Sequence, residues 1–519
     1  MKMARVVVLA MGALACASSS VTRGAMSTPA GSAPVSAAAS ARSAAPSERV
    51  SRAALRHAID SMVAQSQFRN SHFGVLIVDP EKGDTLYSLN AGKLFMPASN
   101  MKIVTGATSL VQLGPDYTYR TEFAAGGRVV RDTLQGALIV TGRGDPTISD
   151  HMRGSAMTPL YEVADSLRAH GIVAIAGGVR AGPDVFPDTT LGFGWSWDDL
   201  GEDYGAGVDA LYVNEGFGLV IANGKAGGFP DSLITLPIRS YPKVAVAPTS
   251  MNPEVTDTFA LRLDLDGRTG TFLARGKLKT KSDTTIVVYP DQRGAYLAAL
   301  REAIGTHGVA LGATGVRWVL PGKGPLVDSE HAAPLFSIHS PPLREILPAL
   351  EKPSQNQIAE ILYKTLGLEK TGVGSADSGR VVIERQLASW GAQPDGYLIR
   401  DGSGLSRYDY LSPETIVRVL DKVRADTAFH VFYDALPIAG VDGSLEHRMR
   451  GTAAVGKVHA KTGSIANARS LSGYVTTADD HMLLFSLLAN NWTVKQSAVD
   501  SVQNRIAVML AELKLRDAQ

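Results

Sequence analysis

Apolar residues recur along the chain with two different periods, and the two periods alternate in blocks. Leu55, Ile59, Met62 and Val63 share one face of a helix, so the folded part starts near Ser51. "HFGVLIVDP" (72–80) and "DTLYSLN" (84–90) read as two strands joined through "PEKG" as a hairpin. Pro97 stops the extended segment, and "SNMKIVTGATSLVQL" (99–113) then carries helical spacing. From about 120 to 335 the pattern changes to short β-like runs between Gly and Pro turns, among them "GALIVTG", "FGLVIANG", "TFALRLDL" and "TTIVVYP". Helical spacing returns near 336. "PPLREILPALEKPSQNQIAEILYKTLG" (341–367) reads as two helices with Pro353 between them. "VHAKTGS" (458–464), "SLSGYVTT" (470–477) and "HMLLFSLLAN" (481–490) read as consecutive strands. Val499, Val502, Ile506, Met509, Leu510 and Leu513 stripe a last helix. Helices at both ends of a terminal antiparallel sheet predict an α+β core, interrupted by β-rich material between its two halves.

The first twenty residues obey a different logic. Lys2 and Arg5 precede an apolar run from Val6 to Ala15 and then small residues, the pattern of a secretory signal peptide over 1–16. That run is too short for an ordinary membrane span. Residues 17–50 are mostly Ala, Ser, Pro and Gly, too poor in large apolar side chains to offset their ordering entropy, and read as a flexible linker. The single cysteine, Cys16, excludes an intramolecular disulfide, so the fold must rest on its core. Its place in "ALAC" allows either simple cleavage or a lipid anchor on the cysteine. The 51 Lys and Arg against 50 Asp and Glu give no electrostatic case for nucleic acid.

Three short motifs could carry chemistry. Ser99 and Lys102 lie three apart at a helix start and so face the same way. A serine hydroxyl is a poor nucleophile until a base takes its proton, and a lysine serves as base only where burial or a second cation depresses its pKa. Ser354 and Asn356, at the helix–helix junction, could relay a proton and hold a substrate amide, or could simply be helix caps. Lys461, Thr462 and Gly463, late in a strand, could supply a second positive charge, a carboxylate partner and a close backbone approach. Each has an ordinary structural explanation when taken alone. Their order and predicted contexts together match the combination used by penicillin-binding proteins and class A β-lactamases.

Longer strings narrow this. With "TGRGDPTIS" (141–149), "GWSWDDL" (194–200), "DGSGLSRYDYLSP" (401–413) and "GVDGSLEHRM" (440–449), the chain from Ser51 onward resembles the class C low-molecular-mass penicillin-binding proteins, the D-alanyl-D-alanine carboxypeptidase/endopeptidase family. The separation of 252 positions from Lys102 to Ser354 agrees, since this family places two extra domains there, one nested in the other. The resemblance implies an α+β serine β-lactamase/DD-peptidase-like core over 51–123 and 336–519. A second domain would cover 124–146 and 239–335, and a nested third 147–238.

It also implies roles. Ser99 would be the acylated nucleophile and Lys102 its base. Ser354 and Lys461 would assist protonation of the leaving amine, and Asn356 would hold the substrate amide. Thr462 would bind the terminal carboxylate beside Gly463, and the amides of Ser99 and Ser464 would form the oxyanion hole. Arg407 and Asp199 would complement the zwitterionic end of a diamino-acid side chain, with Ala466 small and apolar nearby. The partners implied are peptidoglycan peptides ending in D-Ala-D-Ala or a D-Ala–diamino acid link, and β-lactams as inhibitors. A β-lactamase or a non-catalytic wall-binding protein on the same fold are the alternatives. The histidines lack metal-ligand spacing, and no metal or cofactor is expected.

Overall fold

The computed structural model describes residues 52–247, 261–312 and 332–515. The expected signal peptide, linker and Cys16 lie outside the described residues, as does the start of "TFALRLDL". No described helix is long and apolar enough to cross a membrane.

Five core strands form one antiparallel sheet: β1 (His72–Asp79), β2 (Asp84–Leu89), β3 (Val458–Ile465), β4 (Ala468–Thr476) and β5 (Met482–Asn490). Their order is β3-β4-β5-β1-β2, so the C-terminal meander adds directly to the N-terminal hairpin through the β5–β1 pairing. Alternation along β5 shows why the sheet needs cover on both faces. Leu483, Phe485, Leu487 and Ala489 join a core with the two terminal helices, α1 (Arg52–Val63) and α8 (Gln496–Glu512). Leu484 and Leu488 point the other way, into a larger helical layer.

That layer is built around α2 (Met101–Leu113), buried from Met101 to Leu110. It packs against α3 (Leu343–Glu351), α4 (Asn356–Thr371), α5 (Ala376–Ser389) and α6 (Pro413–Arg424). The short α7 (Phe429–Ala435) lies against α3. A helix this enclosed holds its first turn rigidly, which matters because Ser99 and Lys102 sit there.

The chain leaves the core through a strand at Arg120–Gly126 and returns through Ala333–His339, and these two pair with each other. Arg120–Gly126 also pairs with Ala137–Thr141, which runs parallel to Val179–Ala181. A separate three-stranded sheet joins Phe217–Gly224 to Pro230–Leu236 and Ser282–Val288. The inserted stretch is therefore rich in strands, as expected, but it also holds two helices that the local texture conceals. Thr158–Ala169 and Gln292–Thr306 pack together over the first sheet. In the second of these the core face is Ala295, Tyr296, Ala299, Leu300, Ala303 and Ile304. Small alanines and the flanking Gly294 and Gly305 dilute the apolar stripe that would have announced a helix.

Candidate active site

Ser99 lies in one tight 3-10 turn, Ala98–Asn100, immediately before α2. Ala98 has φ +47°, a left-handed conformation rare for a residue with a β-carbon. The turn is tied down on all sides. Asn100 Nδ2 donates to the Lys461 carbonyl (2.8 Å), and Ser470 Oγ donates to the Pro97 carbonyl (2.7 Å). The Asn490 side chain accepts from the Met96 amide (2.8 Å) and donates to its carbonyl (3.2 Å). The half-buried Ser99 hydroxyl is thus held against the β3–β4 hairpin.

Lys102 is fully buried one turn further on. Its Nζ lies 2.9 Å from Ser99 Oγ, 2.6 Å from Asn356 Oδ1 and 2.8 Å from the Ser403 carbonyl. Burial, reinforced by the charge of Lys461, brings its pKa down to about 7, against the opposing pull of Asp401, Glu351 and Glu360. Lys461 is equally buried, and burial pushes its pKa down too, with Glu351 acting in the opposite direction. Its Nζ donates to the Thr462 carbonyl (3.1 Å).

Neither residue of the junction motif caps the helix. The cap of α4 is Gln355, whose side chain accepts from the Ile358 amide (2.9 Å). Asn356 is the first helical residue and spends its carboxamide on Lys102 and on the Tyr204 carbonyl, to which Nδ2 donates (2.8 Å). Ser354 stands just before the cap with φ +67°, and its side chain makes no hydrogen bond among the described residues. Two residues with left-handed backbone thus lie just before side chains that meet at Lys102 Nζ: Ala98 is next to Ser99, and Ser354 is two residues before Asn356.

Strand β3 is the sheet's edge. Residues 437–439 bond to its first half, through Ala460 N to the Pro437 carbonyl and Ala439 N to the Val458 carbonyl. From Lys461 to Ser464 no described strand pairs with its outer side. Thr462 Oγ1 sits 2.7 Å from Ser444 Oγ, and Ser464 is exposed. Gly463 is needed here for close approach. A β-carbon on it would lie 2.1 Å from Ser470 Oγ and 2.9 Å from the Ser99 nitrogen. Gly463→Ala is expected to displace the Ser99 turn and lower the acylation rate by about 100-fold, the order of loss from a roughly 1 Å misplacement. Stopped-flow acylation by a chromogenic β-lactam, alongside a thermal melt, measures both effects.

The two remaining candidates lie in separate surface segments. Asp199 accepts from Tyr204 OH (3.0 Å), the residue whose carbonyl holds Asn356. Arg407 is exposed, in a 406–408 stretch that closes on Gly194. The two share no ion pair or hydrogen bond among the described residues, and only Asp199 is linked, through Tyr204, to Asn356.

Several residues escaped the sequence reading. The carbonyl of Ser403 holds Lys102, and two buried carboxylates shape its loop. Asp401 accepts from the amides of Gly404 (2.6 Å) and Ser406 (2.7 Å) and from Trp195 Nε1 (2.9 Å). Glu360 accepts from the amides of Gly402 (3.1 Å) and Ser403 (2.8 Å), and burial raises its pKa. Through Trp195, the Lys364–Asp188 ion pair and Gln357 Nε2 donating to the Asp203 and Ala206 carbonyls, the 188–206 stretch of the insertion is clasped to α4 and to this loop. "DGSGLSRYDYLSP" had been singled out, but a carbonyl's role is invisible in residue types.

A serine hydroxyl beside a buried lysine at the start of a helix, next to the open edge of an antiparallel sheet, is the arrangement expected of a serine hydrolase of the β-lactamase/DD-peptidase fold. Comparison with known proteins is more specific. A profile of the D-Ala-D-Ala carboxypeptidase 3 (S13) family matches residues 55–513, and the chain belongs to that family of serine peptidases. It is 32% identical over 472 residues to the D-alanyl-D-alanine carboxypeptidase of Actinomadura sp. (strain R39), covering 88% of this chain and 84% of that one. It is 25% identical to the D-alanyl-D-alanine carboxypeptidase DacB of Haemophilus influenzae, covering 83% and 88%. The crystal structure of penicillin-binding protein 4 (dacB) from Haemophilus influenzae superimposes with a TM-score of 0.72 at 22% identity, covering 88% of this chain and 99% of that one. The expected family and fold class are both borne out.

Proposed function

We propose that this enzyme removes the terminal D-Ala of peptidoglycan stem peptides, or opens the equivalent D-Ala–diamino acid cross-link, through an acyl-enzyme on Ser99. The observation that carries the reading is the 2.9 Å approach of Lys102 Nζ to Ser99 Oγ in a fully buried setting. A neutral amine has two N–H donors and one lone pair. With the donors engaged by Asn356 Oδ1 and the Ser403 carbonyl, the lone pair is left for the Ser99 hydroxyl.

The steps then follow. Ser99 Oγ attacks the carbonyl carbon of the penultimate D-Ala while its proton passes to Lys102. The developing oxyanion is met by the amides of Ser99 and Ser464. The substrate lies along the open edge of β3, with its carboxylate near Thr462 and Lys461 and its amide near Asn356. As the peptide C–N bond breaks, the leaving amine takes a proton by way of Ser354 and Lys461. Water then cleaves the ester and restores Ser99. A β-lactam enters by the same route and leaves a slowly hydrolysed ester. Asp199 and Arg407 would face the amine and carboxylate of a longer side chain.

The leader pattern over 1–16 supports export to the cell envelope, with Cys16 as a candidate lipid anchor. The inserted stretch is read as two nested domains. We take the second domain as 124–146 and 239–335 and the nested third as 147–238. Val179–Ala181 pairs with Ala137–Thr141, and Phe217–Gly224 pairs with Ser282–Val288, so strands pair between the two inserted domains.

The test is direct. The protein incubated with a diacyl-Lys-D-Ala-D-Ala peptide should release free D-Ala, and penicillin should abolish release while adding one drug mass to the protein. Absence of both D-Ala release and adduct would defeat the reading. Rapid multiple-turnover hydrolysis of nitrocefin would point to a β-lactamase instead.

A further inference from the structure

Glu351 ends α3, three residues before Ser354, and is wholly buried. Neither of its carboxyl oxygens has a hydrogen-bond partner among the described residues. This separates it from Asp401 and Glu360, which are occupied by backbone amides. A buried acid without such donors needs an electrostatic reason to persist.

Its position supplies one. Oε1 lies against α2 at Gly106, where a β-carbon would come within 2.6 Å of it. Gly106 is four residues after Lys102, one turn along the same face of the helix. Leu347 and Leu350 line the rest of that contact. The charged groups facing the carboxyl are Lys461 from β3 and Lys102 from α2. Two lysines and one acid are thus enclosed together.

We propose that Glu351 is a positioning residue for the reaction, the counter-charge that lets one lysine of the pair remain an ammonium while the other is a free base. Lys102 also feels Asp401 and Glu360, whose oxygens are occupied by backbone amides, so Glu351 is the carboxylate left to balance one protonated lysine. Two protonated lysines, or none, leave an uncompensated charge in low dielectric. The division of labour is set by surroundings. Lys102 is the base beside Ser99, and Lys461 keeps the proton that a substrate carboxylate requires. Burial is the largest influence on Glu351 and raises its pKa to about 7, against the downward pull of Lys461 and then Lys102.

This inference rests on the roles proposed for Ser99, Lys102 and Lys461. It is tested through the pH profile of acylation in Glu351→Gln and Glu351→Leu, with the parent measured alongside. An anion raises the pKa of a nearby lysine, so its removal lowers both. The acid limb, where Lys102 must lose its proton, and the alkaline limb, where Lys461 must keep one, are both expected to move to lower pH by about one unit. At pH 8.5 the variants should therefore lose more of their rate than at pH 6.5. A rate that falls equally at every pH, with the limbs unmoved, would overturn the proposal, as would failure of both variants to fold. A parent that forms no adduct would instead defeat the assignment of the site itself.

Discussion

Ser99→Ala is expected to lose all covalent attachment of penicillin and to lower kcat/KM for D-Ala release by about 10⁴-fold or more, the scale on which removal of an activated serine acts. The fold should be unaffected. Ser99 is half-buried, and the turn that carries it is fastened by Asn100, Ser470 and Asn490 rather than by its own hydroxyl. The melting temperature should therefore stay close to the parent's. Noncovalent binding of the peptide should also persist, because Asn356, Thr462 and Lys461 remain in place. Intact-mass analysis after penicillin exposure, a D-Ala assay and a thermal melt separate these outcomes. An adduct that survives in the variant would move the nucleophile elsewhere, and Ser354, with its unpartnered hydroxyl, would be the next to replace.

How much of this could be read from residue types varies with what each residue does. Both periodicities survived into the fold because burial enforces them. The alternation at Leu483 to Ala489 divides the side chains between two cores. Ser99, Lys102 and Asn356 could be named because their side chains act, and the structure joins all three at Lys102 Nζ. Ser354 was legible as a motif member, but its left-handed backbone was not, since nothing in the residue type demands it. Ser403 acts through a carbonyl that every residue possesses. Glu351 and Glu360 are legible only in retrospect, as buried acids, because the sequence does not say which helix faces are enclosed. The helix at Gln292–Thr306 was hidden by its own alanines, which satisfy a close-packed interface without producing an apolar stripe. Arg407 and Asp199 lie on exposed or half-exposed loops, where no packing constraint ties residue type to position.

Lys102→Met offers the second large effect and the sharper diagnostic. Methionine approximates the lysine stem and packs in the same channel, but it cannot accept the serine proton. Acylation is expected to fall by about 10³-fold, within the range lost with a positioned general base. The change in pH dependence matters more. With the Lys102 pKa near 7, parent acylation should rise through that pH and fall again as Lys461 loses its proton. The variant should lack the acidic limb altogether, because the group that titrates there is gone. Stability should respond with a defined sign. Lys102 has a lower pKa folded than unfolded, so between about pH 7 and 10 the unfolded chain holds more protons and parent stability rises with pH on its account. Below pH 7 the folded protein encloses the charged form and bears its full desolvation cost. The stability of Lys102→Met relative to the parent should thus be greater at pH 6 than at pH 9, measured by urea unfolding at the two pH values. A variant that keeps the acidic limb would assign that ionisation to another group and remove Lys102 from the role of base.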